Sequence, residues 1–240
     1  MLKDNKNFDK KTVGIIGGMG PAATAMLFQK MIDYTDAKTD REHMHILIDN
    51  RPSIPDRTSA ILNHDDTPLK KICESGKALE AIGAELIVIP CNTSHYFYQD
   101  IQKSLNVPVI NMLEETAKEC KKFGFTSVGV LATTGTRKTG IYEKALNACG
   151  IKAVYPKDQG QTLLMSLIYD YVKAGKTASA WMFADELEVM KKEGVQAFVL
   201  GCTELPMIFC DGDLGIRFID SLDVLAKRTV EMAGYRLKEL

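Results

Sequence analysis

The sequence predicts an α/β protein of two pseudo-symmetric lobes, each a mostly parallel sheet flanked by helices, with the active site in the cleft between them. Three observations predict it. Short apolar, β-rich runs alternate with helical patterns along the whole chain, as in parallel sheets covered on both faces. The two halves repeat each other in order. Val13-Gly14-Ile15-Ile16-Gly17-Gly18-Met19-Gly20 aligns with Val128-Gly129-Val130-Leu131-Ala132-Thr133-Thr134-Gly135, 115 residues on, and the segment Gly83 to Cys91 aligns with Gly194 to Cys202, 111 residues on. A third match, Ile110-Asn111-Met112-Leu113 with Ile219-Asp220-Ser221-Leu222, follows at 109 residues. Finally, each half sets one cysteine directly after a buried strand: Cys91 and Cys202.

The elements follow in chain order. Val13 to Ile16 is the first strand, and the helix after it opens with Pro21, whose missing N–H is harmless in a first turn. Leu27/Met31 and Phe28/Ile32 repeat at four residues and give that helix an apolar face. Ile46 to Asp49, Leu86 to Ile89 and Val107 to Ile110 complete the first set of strands. Ser127 to Leu131, Ile151 to Val154, Ala197 to Leu200 and Ile216 to Ile219 form the second. The stretch from about Gly160 to Lys192 holds two helices broken near Ala174-Gly175-Lys176, with no strand between them. The expected lobes are 1–109 and 110–220, the first completed by a C-terminal helix over 221–240.

The chain has 240 residues, 45% hydrophobic and 25% charged, enough to bury a substantial core. Its 30 Lys and Arg nearly balance 31 Asp and Glu, without the basic footprint that nucleic-acid binding requires. No apolar run approaches the ~20 residues of a membrane span. The polar segment Met1 to Lys11 lacks the apolar part of a signal peptide. Neither nucleic acid nor membrane is an expected partner, and the expected location is the cytoplasm. Six cysteines without a C-x-x-C pair argue for single thiols rather than zinc or dithiol chemistry.

A lone cysteine at a strand end is usually a small buried hydrophobe. The repeat-related placement of Cys91 and Cys202 reverses that expectation, because ligands in open α/β sheets bind beyond the carboxyl ends of strands. Two lobes facing each other bring the two thiols to one cleft from opposite sides. Inversion of a stereocentre bearing an acidic hydrogen needs a base on one face and an acid on the other. A thiol, with a reference pKa of about 8.5, can serve as either near neutral pH. Cys73, Cys120, Cys149 and Cys210 read as structural.

Other motifs carry less. Gly18, Gly20 and Ala23 make a formal G-x-G-x-x-A, yet the ribose-binding acid is missing and Pro21 removes a donor. The loop around Met19 is better suited to a small anion such as a substrate carboxylate. His43 and His45 alternate on a strand face without a third ligand at convincing spacing, so no metal site is expected. His95, four residues after Cys91, suits packing or tuning rather than catalysis.

These residues resemble those of the aspartate/glutamate racemase family, in its pyridoxal-phosphate-independent aspartate racemase branch. The resemblance rests on Gly17-Gly18-Met19-Gly20-Pro21, Ile54-Pro55-Asp56-Arg57-Thr58, Pro90-Cys91-Asn92-Thr93, Leu131-Ala132-Thr133-Thr134-Gly135-Thr136, Val172-Lys173-Ala174-Gly175 and Gly201-Cys202-Thr203-Glu204. It implies cofactor-free interconversion of L- and D-aspartate or glutamate, with Cys91 and Cys202 as proton donor and acceptor, in a homodimer. It further implies that Arg57 and Lys173 contact or orient the dicarboxylic amino acid, for which a guanidinium fork is well shaped. Asn92, Thr93, Thr133, Thr134, Thr136, Thr203 and Glu204 flank the strand ends as substrate-binding candidates, and each is equally suited to capping a helix. Asn50 matches the family more loosely. Where glutamate racemases typically show Asp-Ser-Gly and Gly-Cys-Thr-His, this chain has Gly-Met-Gly-Pro and Gly-Cys-Thr-Glu. Hydantoin racemase or maleate isomerase chemistry, and a catalytically silent dicarboxylate-binding protein, stay open as alternatives.

Overall fold

The computed structural model describes residues 10–210 and 212–239. Most of the polar amino-terminal segment and residue 240 of the expected last helix lie outside the described residues. The first half runs β1 (Val13–Gly17), α1 (Pro21–Tyr34), β2 (Ile46–Asn50), α2 (Arg57–Leu62), α3 (Thr67–Ala81), β3 (Leu86–Val88), α4 (Tyr98–Ser104) and α5 (Met112–Lys122). The second runs β4 (Ser127–Ala132), α6 (Thr134–Thr139), α7 (Ile141–Asn147), β5 (Lys152–Val154), α8 (Asp158–Ser166), a π-helical turn (Leu167–Val172), α9 (Ala184–Lys192), β6 (Ala197–Gly201), β7 (Phe218–Asp220) and α10 (Ser221–Met232).

Two sheets result, ordered β2-β1-β3 and β5-β4-β6-β7, and every strand pair is parallel. The repeat read in the sequence is visible as topology, since β1 and β4 are both flanked by the strand that follows them and the strand that precedes the cysteine. The expected strand over Val107 to Ile110 is reduced to one parallel bridge, Ile87 to Val109, at the position that β7 fills in the other sheet. Pro108 accounts for this, because a proline cannot donate to a ladder. His43 and His45 precede β2 rather than alternating on it.

α5 and α10, which follow the Val109 bridge and β7, change sides. α5 packs on α7 of the second half, and α10 packs on α1 of the first. The chain beyond α10 also returns to the first half: Thr35 and Leu237 form an antiparallel bridge, and Lys238 N–H donates to Tyr34 O at 2.8 Å. The last helix is shorter than expected because Gly234, at φ +83°, turns the chain out of it. One buried apolar cluster includes Val13, Ile15 and Val88 from one sheet with Val128, Val130 and Val199 from the other, so the two halves share a core. Separate clusters cover the two outer faces. Among the described residues no helix is long and apolar enough to cross a membrane.

Candidate active site

The loops after the carboxyl ends of β1, β3, β4 and β6 enclose a cavity of about 20 Å³. That is room for about one water. Cys91, 5% exposed, and Cys202, 6% exposed, both line it. Met19, Arg57, Asn92, Thr93, Thr133, Lys173, Thr203 and Glu204 line it as well. Three expected site residues do not. Asn50 is exposed at the end of β2, Thr134 turns its N–H to Met165 Sδ at 3.2 Å, and Thr136 lies one contact behind Thr93 and Thr133.

Cys202 donates to Glu204 Oε2 at 3.1 Å, and Glu204 Oε1 pairs with Lys173 Nζ at 2.9 Å. Burial pushes the Cys202 thiol well above its ordinary value, and the Glu204 carboxylate beside it adds to the rise, with Lys173 opposing. Cys202 therefore keeps its proton at neutral pH. Burial works against the charge on Lys173, but Glu204 outweighs it and raises the ammonium above its usual range.

Cys91 has a different neighbourhood. Burial also opposes the charge on Arg57, yet its interactions with Cys91 and Asp56 raise its pKa. Nη1 donates to Ile54 O and Pro55 O at 3.2 and 3.0 Å, and Nη2 to Met19 O at 3.1 Å. Arg57 thus ties the glycine loop to the segment before α2, and its buried Nε has no partner. In that loop the Gly18 N–H is already taken by Thr24 Oγ1 at 2.9 Å, which removes one of the donors expected to face an anion.

His95 is fully committed. Met112 N–H donates to its Nε2 at 3.1 Å, which leaves the proton on Nδ1 to donate to Cys91 O at 2.9 Å. Burial lowers its pKa, so the ring stays neutral and braces the Cys91 loop. Among the described residues no cluster of three His, Cys, Asp or Glu side chains could hold a metal ion.

Hydroxyls join the two halves across the cavity. Thr133 Oγ1 lies 3.2 Å from Thr58 Oγ1 and 3.1 Å from Thr93 Oγ1, while also accepting from Thr136 N–H as the cap of α6. Helix capping and site lining coexist in this residue. Thr203 Oγ1 lies 3.3 Å from Glu204 Oε2 and 3.5 Å from Pro90 O.

Comparison with known proteins adds to this geometry. The family model described as Asp/Glu/Hydantoin racemase matches residues 16–229. The chain belongs to that racemase family. It is 36% identical to a Picrophilus torridus aspartate racemase, with a TM-score of 0.81 over 95% of this chain and 96% of that one. An aspartate racemase homologue from Pyrococcus horikoshii OT3 is 29% identical, with a TM-score of 0.77 over 93% and 99%. A broad-specificity amino-acid racemase of Bacillus subtilis is 31% identical over 91% of this chain and 96% of its own length.

Three residues lining this racemase-family cavity were not singled out from the sequence: Asp56, Thr58 and Tyr169. Tyr169 Oη donates to Asp56 Oδ2 at 2.9 Å, while Asp56 Oδ1 caps α2 by accepting from Ser59 N–H at 2.8 Å. Burial alone would raise the Asp56 pKa, but the Ser59 N–H and the Tyr169 hydroxyl together hold it below the usual carboxylate value. Asp56, Tyr169 and Lys173 are also the lining residues that are not buried, so they form the mouth. The adjacency of Asp56 and Thr58 to Arg57 was the available clue. Tyr169 stands four residues before Lys173 and so shares its helix face.

Proposed function

We propose that this racemase-family chain interconverts the enantiomers of a dicarboxylic amino acid, aspartate or glutamate, by direct proton transfer between Cys91 and Cys202 without pyridoxal phosphate. The observation that carries the proposal is one buried cavity lined by both repeat-related thiols, with Arg57 on the Cys91 side and the Glu204–Lys173 pair on the Cys202 side. The aspartate racemase relative at 36% identity favours aspartate, and the broad-specificity relative keeps other amino acids in view.

In one direction the Cys91 thiolate takes the α-hydrogen as a proton, the C–H electron pair remains on a planar carbanion, and the Cys202 thiol protonates the opposite face. The products are the mirror-image amino acid, a Cys91 thiol and a Cys202 thiolate. The reverse reaction exchanges the roles. Arg57 and Lys173 supply positive charge to the substrate carboxylates, and Glu204 is an anionic partner for the ammonium. The same charges disfavour a neutral hydantoin, since its binding would leave them buried without partners. The cavity must open to admit any of these substrates, and Asp56, Tyr169 and Lys173 stand at the side where it opens.

Incubation with L- and D-aspartate and both glutamates in deuterated water tests the proposal. It predicts loss of optical activity together with incorporation of α-deuterium, with no cofactor added. Absence of exchange and racemisation with all four would contradict it, as would activity that appears only with added pyridoxal phosphate.

A further inference from the structure

Behind the two thiols lies a buried set of contacts that proton transfer itself does not use. Asn92 follows Cys91, and its carboxamide is held at both ends. Tyr142 Oη donates to Asn92 Oδ1 at 2.6 Å, and Asn92 Nδ2 donates to Ser221 Oγ at 3.1 Å. Ser221 then donates to Leu200 O at 2.7 Å, two residues before Cys202. Tyr142 reaches the same strand end by packing. A Cβ placed on Gly201 would lie 2.9 Å from Tyr142 Cε2, so the ring rests directly on the glycine that precedes Cys202.

Two side chains from two helices, α7 and α10, therefore each touch both cysteine segments. Tyr142 and Ser221 are both 0% exposed, and neither lines the cavity. Loss of one such partner leaves a buried polar atom unpaired and frees the segment it held.

We propose that Tyr142 and Ser221 are positioning residues that fix the spacing of the two thiols by clamping Asn92 against the Leu200–Gly201 strand end. The inference rests on the reading that Cys91 and Cys202 exchange the proton. Inversion requires both sulfurs within hydrogen-bonding reach of one carbon, and small misplacements of reacting groups cost large factors in rate. Exchange of the α-hydrogen with retention requires only one. A loosened clamp therefore separates the two outcomes, whereas a merely structural defect lowers both in proportion to the protein left folded.

Ser221→Ala and Tyr142→Phe are compared with the parent in deuterated water, following α-deuterium and chirality together. The expected result is at least a ten-fold fall in the ratio of inversion to exchange, carried by kcat rather than KM, in whichever of the two folds well. Ser221→Thr, which keeps the hydroxyl, should restore the ratio. An unchanged ratio in the folded variants overturns the clamp. If the parent itself neither exchanges nor inverts any of the four amino acids, the assignment of chemistry falls instead. The clamp is then decided by mass-spectrometric rates of iodoacetamide labelling at Cys91 and Cys202. Faster labelling at both in the variants supports it, and rates equal to the parent's overturn it.

Discussion

Opposing influences meet at the Cys202 sulfur. Burial and the Glu204 carboxylate hold the proton on, and Lys173 pulls the other way. Glu204→Gln removes one retaining influence and leaves the ammonium unpaired, so the second ionisation of the thiol pair should come at lower pH. The measurement is the alkaline limb of kcat/KM against pH, which should move to lower pH in this variant. Mirror-image reactants are equal in free energy, so both enantiomers must share the profile, and an unmoved limb would show that Glu204 does not control this thiol. Arg57 acts on the other side, tying down three carbonyl oxygens and facing Cys91. Arg57→Ala removes one charge-assisted contact to a substrate carboxylate, at about 1.5–3 kcal/mol, so kcat/KM should fall on the order of 100-fold. Near-parent kcat/KM would remove Arg57 from the site. Cys91 and Cys202 were legible in the sequence because the repeat singles them out, and Arg57 and Lys173 because resemblance did. Asn92 was legible as a neighbour of the cavity, but its amide turns to Tyr142 and Ser221, which no local pattern encodes.

At the scale of elements, the wall carrying Tyr169 and Lys173 is a π-helical turn in which Lys173 N–H bonds to Ile168 O at 2.9 Å, five residues back. Such wide turns recur at functional sites. The sequence marked the break near Gly175, where φ is +72°, but a local widening of a helix leaves no periodic signature. α10 offers a separate test. Its cap, Asp220, accepts from Leu222 N–H at 2.8 Å and pairs with Lys30 at 3.5 Å. Burial first, and then Asp223, raise the Asp220 carboxyl from 3.8 to about 6 despite Lys30. The folded protein thus binds this proton more tightly than the unfolded chain. The resulting stability is fully present below about pH 3.8 and lost as pH rises through about 6. Asp220→Asn, which keeps an oxygen for the cap, should match the parent near pH 4. Above pH 7 it should exceed the parent by on the order of 3 kcal/mol in urea unfolding. Equal stability at both pH values would contradict the assignment.

For the whole molecule, the shared core and the exchanged helices α5 and α10 hold the two sheets as one body. Two parallel sheets were legible because alternating buried strands and helices admit few other arrangements. The reduction of Val107 to Ile110 to a single bridge depends on Pro108, which the apolar pattern of that run does not register. This framework brings Cys91 and Cys202 to one cavity, and the central claim is that they serve opposite faces of one carbon. The most direct test is α-hydrogen exchange in deuterated water by Cys91→Ala and Cys202→Ala, each offered the two enantiomers separately. Net racemisation should be nearly absent in both variants. Whatever exchange survives should favour opposite enantiomers, each with retention, because the remaining thiol returns hydrogen only to the side it left. Racemisation near the parent rate in either variant, or exchange of the same enantiomer by both, would contradict the account.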